Sequence, residues 1–200
     1  MNDILLISEQ TLKNDSLIGD NVESVLILPA IIIAQEQGLQ PVIGTKLLRK
    51  LQDLIDNDLI SSPNYTAYKE LLDNYITIYL EYKVMSEIQI PLSYKMRTNG
   101  IIKNSDDKTV TIDMKDVMYL KTYYDDKATF FLKRLVDYLC ANRMTYPEYK
   151  STDTSADMHS NSNAYYTGIK LGSKKKLNWY YEFSTNYTIY NKCSKRTPFS

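Results

Sequence analysis

Two hundred residues with 44% apolar content are enough for one domain with a packed core. Twenty-four Lys and Arg against 24 Asp and Glu give zero formal charge, which argues against a chain that holds nucleic acid by its overall charge. The balance is uneven: residues 151–200 carry seven cations and three acids, a surplus of +4, so the first 150 carry −4.

Cys140 and Cys193 are the only cysteines. Two, far apart, make neither a disulfide framework nor a zinc site, and a reducing compartment fits them best. The N-terminal residues lack the basic and long apolar regions of a signal peptide. The apolar run 25–34 is too short to span a bilayer and contains Pro29. A soluble, intracellular chain is therefore expected. Eighteen tyrosines suit a protein with large interfaces, and would equally follow from an AT-rich genome.

In chain order, residues 1–20 read as a short extended or mixed arm ending at Gly19. Asp20 and Glu23 have the spacing of a capping box, opening a helix that runs to about Gln37 and stops at Gly38. Pro29 requires a kink or a restart within it. Its apolar residues surround the axis, so it belongs in a core or an oligomer.

Gly44 and Thr45 then break and cap, and Leu47, Leu48, Leu51, Leu54 and Ile55 mark a short amphipathic helix. Ser62 and Pro63 open a second long helix, carried by Tyr68, Leu72, Tyr75, Ile76, Tyr79 and Val84 and ending before Pro91.

Between residues 95 and 113, turn signals at Asn99-Gly100 and Asn104–Asp107 are flanked by β-branched residues. A small β-hairpin or flap is expected there, leaning on the bundle or on a partner because an isolated hairpin is barely stable. Arg97, Asn99, Ile101, Lys103 and Lys108 are its candidate inter-subunit or lumen residues.

The longest element spans Met114 to Arg143 without Gly or Pro. Val117, Leu120, Tyr124, Ala128, Phe131, Leu135 and Leu139 recur every three or four residues and draw one apolar stripe. Asp113 suits the N-cap, Arg143 the C-terminal dipole, and Pro147 forbids continuation. At about 1.5 Å per residue it makes a rod of roughly 45 Å. The fold class that follows is mainly α: a bundle of four to five helices over residues 1–150, with a small flap and an extended C-terminal arm over 151–200.

The arm begins with a polar stretch, STDTSADMHSNSNA, read as a linker. Beyond it aromatic and basic residues alternate without a neighbouring helix to pack on. Candidate docking residues are Tyr165, Tyr166, Lys174, Lys175, Lys176 and Trp179. Tyr180, Tyr181, Phe183, Tyr187, Tyr190 and Phe199 continue the series. The lysines among aromatics also have the composition of a single-strand nucleic-acid binder, the alternative function.

Catalytic chemistry finds little material. His159, the only histidine, lies in the polar linker, where an exposed side chain is the ordinary reading rather than a general base. Cys140 reads as a buried structural residue and Cys193 as an incidental thiol beside lysines. Asp106-Asp107 lie in a turn, and Asp125-Asp126 point about 100° apart on a helix. Neither has the spaced ligands of a calcium loop. No phosphate loop or nucleotide fingerprint is present, and the Gly168–Gly172 motif has no helix after it. No enzyme, cofactor or metal is expected.

Several segments together carry a resemblance. AQEQGLQPVIGTKLLRKLQDLI, a Tyr-rich second helix, a flap beginning RTNGII, and LCANRMTYPEY after the last helix resemble the head–tail connector (adaptor) proteins of tailed bacteriophages, most nearly the neck ring proteins of crAss-like phages. The resemblance covers about residues 20–150 and is most specific over Ala34–Gly44 and Asn142–Tyr149. It implies a structural virion protein, made in the bacterial cytoplasm and located in the neck between capsid and tail. Its implied partners are further copies in a dodecameric ring, the portal protein, other neck or tail rings, and passing genomic DNA in the channel; no membrane is implied. A C-terminal segment that grips the portal is part of the same expectation. Pro29 and the length of the arm depart from the family pattern.

Overall fold

The computed structural model describes residues 4–19, 21–97, 100–103, 113–150 and 157–160. The fold is mainly helical. Residues 4–7 bend at Leu6 and Ile7, which are buried, and lead into α1 (Glu9–Asp15). Ser8 caps it, its hydroxyl oxygen accepting from the Thr11 amide at 3.0 Å. The expected arm is thus partly a helix, because a Ser cap and Leu12, fully buried, give one turn something to pack with.

α2 (Ser24–Ile33) begins behind Glu23, which makes no side-chain cap bond, and Asp20 lies outside the described residues. The helix passes through Pro29 and does not stop at Gly38. Instead it widens into a π-turn over Ala34–Leu39, where the Gln40 amide reaches back to the Gln35 carbonyl, and continues as α3 (Gln40–Ile43). Gly38 serves close approach rather than termination: a Cβ there would collide with the Tyr79 hydroxyl. The stop comes at Gly44, with φ +82°. Because the π-turn carries the helix onward, Ser24–Ile43 is long and apolar enough to cross a membrane by length and composition. That revises the sequence argument that the run is too short. Ile27, Ala30, Ile31, Leu39, Val42 and Ile43 are nevertheless buried in the bundle, as a core helix would be.

α4 (Thr45–Asp56) buries Leu47, Leu48, Leu51 and Leu54, the stripe expected of it. A short 3₁₀ turn, Pro63–Tyr65, leads to α5 (Thr66–Leu71), a second π-turn over Leu72–Ile76, and α6 (Thr77–Ser93). α6 runs through Pro91 instead of ending before it. β1 (Tyr94–Arg97) and β2 (Gly100–Lys103) follow, paired antiparallel with Arg97 opposite Gly100.

α7 (Met114–Ala141) is capped by Asp113, whose carboxylate accepts from the Met114 amide at 2.8 Å. It forms the principal helix pair with α6, and α2 also packs on α6. Val117, Ala128, Leu135, Val136 and Leu139 are buried along this seam. Each of these valines and leucines contributes roughly 1.5–3 kcal/mol by leaving water. Tyr82 stacks on Phe131 (5.0 Å between centroids) and Tyr75 on Tyr138 (4.0 Å). Cys140, read as a buried structural residue outside any disulfide framework, is only half-buried against the core, and no cysteine among the described residues is free.

Candidate functional site

The candidate arm residues Tyr165, Tyr166, Lys174–Lys176, Trp179–Tyr181, Phe183, Tyr187, Tyr190 and Phe199 lie outside the described residues, as do Asn99 and Lys108. Of the flap candidates, Arg97, Ile101 and Lys103 fall in paired strands, Ile101 opposite Met96 and Lys103 opposite Tyr94. What the structure adds is the place where the chain leaves the bundle.

Residues 157–160, expected within a polar tether, are seated on the corner between α3 and α4. The Thr45 amide donates to the Met158 carbonyl (2.9 Å). The Met158 amide donates back to Thr45 Oγ1 (2.9 Å), which also accepts from Gln40 Nε2 (3.0 Å). Ser160 Oγ donates to the Tyr149 carbonyl. Gly44 makes room for this contact, since a Cβ there would stand 2.8 Å from the Ser160 nitrogen. Thr45 therefore acts as a receptor for the returning chain as well as opening α4. Sequence reasoning identified the Gly-Thr break but not its partner, 113 residues away.

The two most specific parts of the resemblance have structural roles here. In the first, Gln35 is buried: its Oε1 accepts from the Leu6 amide (2.9 Å) and its Nε2 donates to the Ile4 carbonyl (3.3 Å). Gln52 Nε2 donates to the same carbonyl at 2.9 Å. In the second, Tyr146 and Tyr149 are almost fully buried. The Tyr146 hydroxyl donates to the Ala67 carbonyl (2.8 Å) and meets the Tyr138 hydroxyl at 3.1 Å. The Tyr68 hydroxyl donates to Glu148 Oε2 at 2.9 Å. Burial, then the hydrogen bonds, push both the Tyr68 and Tyr146 hydroxyls far above the usual tyrosine range. These groups stay neutral and hold the 142–149 segment on α5.

Asp125 is engaged in the fold. Lys83 Nζ lies 2.9 Å from Asp125 and 2.8 Å from Glu87, and Lys121 is 3.2 Å from Glu87. Burial raises the Asp125 and Glu87 carboxyls, but bonding to Lys83 outweighs it and holds both below their usual values. Asp126 is exposed, while Asp106 and Asp107 lie outside the described residues. Among the described residues no group of three or more His, Cys, Asp or Glu could hold a metal. His159 is half-buried in the seated segment.

Apolar surface remains open on two helices. On α2, Val25 is 75% exposed, with Leu28 and Ile33 beside it in a helix that carries no charged residue. On α7, Tyr119 is 72% and Phe130 63% exposed, with Met118 and Tyr123 on the same helix.

A family profile matches residues 39–158, from the end of the first π-turn to the Met158 that bonds Thr45. No curated protein and no solved structure gives a significant match. Because the matched segment spans more than half of the chain, the protein belongs to the family of unknown function DUF6712.

Proposed function

We propose that the chain is a non-enzymatic structural protein of a tailed-phage virion, a head–tail connector that assembles as a ring in the neck. The observation that carries this reading is the open apolar face of α2, with Val25, Leu28 and Ile33 exposed on a charge-free helix. Such a surface is ordinarily covered by a partner. The resemblance over residues 20–150 supplies the kind of assembly.

In this reading side-to-side packing of bundles forms the ring, a dodecamer around the DNA channel. The hairpin flap with Arg97, Asn99, Ile101, Lys103 and Lys108 reaches the lumen or the next subunit. The arm beyond Ser160 docks on the portal through its aromatic and basic residues, Trp179 and Lys174–Lys176 among them. Seating of Met158 against Thr45 supports a defined launching point for that arm.

The test is native mass spectrometry of the protein mixed with the portal protein of the same genome. Full-length chain and a chain ending at Ser160 are compared. A stoichiometric complex with full-length chain alone is the expected result. A complex with both would keep the connector role and move the docking site into the bundle. No complex with either, and absence of the chain from mature particles, overturns the proposal. Salt-dependent DNA binding lost on changing Lys174–Lys176 to Ala would then favour the nucleic-acid reading.

A further inference from the structure

The end of α1 and the adjoining faces of α6 and α7 enclose a cleft of about 390 Å³. Its walls include the rings of Tyr82, Tyr123 and Tyr124, and its charged groups are Asp15, Glu81 and Lys127. Neither the fold nor the proposed ring uses this cleft.

We propose that it is a binding site for a small organic cation, an alkylguanidinium or alkylammonium of arginine side-chain size. Three tyrosines line one space, and the negative face of an aromatic ring attracts a cation within about 6 Å of its centroid. The cleft already shows this chemistry with a group of its own: Lys127 Nζ lies 4.8 Å from the Tyr123 centroid.

The carboxylates supply the charge. Among the described residues neither Asp15 nor Glu81 forms an ion pair. Burial, and then the charge of Asp15, hold the Glu81 carboxyl above its usual value. Lys127 lines the same cleft but sits over the Tyr123 ring and pairs with neither acid, so the two carboxylates repel each other and a bound cation reduces that repulsion. Apolar walls from Leu17 and Met85 suit the alkyl stem of such a ligand. The volume accommodates a four-carbon chain with a guanidinium head.

The charged groups facing the site are Asp15, Glu81 and Lys127, and the Glu81 carboxyl is held above its usual value by burial and then by the charge of Asp15. Cation binding therefore strengthens as pH rises through the Glu81 titration.

The experiment titrates the full chain, isotopically labelled, with butylguanidinium and with its neutral near-isostere butylurea, following the amide shifts of α6 and α7 by NMR. Butylguanidinium is expected to bind about 10-fold more tightly than butylurea, and Glu81→Gln to remove that difference. Glu81→Gln is compatible with folding because it keeps the side-chain size and removes the repulsion from Asp15. Tyr123→Leu, at a half-exposed ring, should weaken the cation and leave the urea unchanged. Equal binding of the two ligands, shifts unaffected by Glu81→Gln, or no shifts with either ligand overturns the proposal.

Discussion

A Cβ at Gly44 would press on the Ser160 nitrogen at 2.8 Å, on a backbone with φ +82° that L side chains rarely adopt. Gly44→Ala should therefore cost about 1–2 kcal/mol of stability and release the Met158 amide to hydrogen exchange. Gly19→Ala, where nothing lies within 4 Å, is the control and should leave the denaturation midpoint nearly unchanged. At the same scale, the Lys83–Asp125–Glu87 network makes the bundle sensitive to acid. The folded-state values of both carboxyls are depressed, so their contribution is present above the ordinary carboxylate range and lost as pH falls through and below it. The groups are partly exposed, which limits each pair to about 1 kcal/mol or less. Denaturation midpoints measured from pH 7 downward should fall in the parent chain and fall less steeply in Lys83→Met.

At the scale of elements, the two π-turns change how the helices meet. The extra residue in the first lets Gln35 face inward, where with Gln52 of α4 it holds residues 4–7 by the Ile4 carbonyl and the Leu6 amide. Gln35→Leu keeps the volume and removes the acceptor, leaving the buried Leu6 amide unpaired. The expected cost is about 1–3 kcal/mol, accompanied by loss of exchange protection at Leu6 before the rest of the core. If Leu6 remained protected, the π-turn would be serving α6 alone. The helix pair α6–α7 depends on a simpler rule, apolar spacing, and its seam follows the stripe expected of Val117 through Leu139.

For the whole molecule, the seated segment 157–160 divides the chain more usefully than residue 150 does. A chain ending at Ser160 retains every bond to Thr45 and Tyr149. Under reducing conditions it should unfold at the same denaturant concentration as the full-length protein while losing portal binding. A large loss of stability in that truncation would mean that residues 161–200 belong to the bundle and are not a docking arm.

By itself the sequence determined the helical class, the long α7 with its Asp113 cap, and the α4 stripe. These are local properties, written in residues three or four apart and in the capping groups beside them. Tertiary structure decided where α2 ends, since Gly38 reads as a stop until Tyr79 is seen filling the space a side chain would take. It also decided that Pro91 stays within α6, that Gln35 is buried, and that Asp15 and Glu81 share a cleft with three tyrosines. Each of those depends on a partner tens of residues away, which no local spacing encodes. The same holds for Thr45, whose hydroxyl finds Met158 only after the whole bundle has closed.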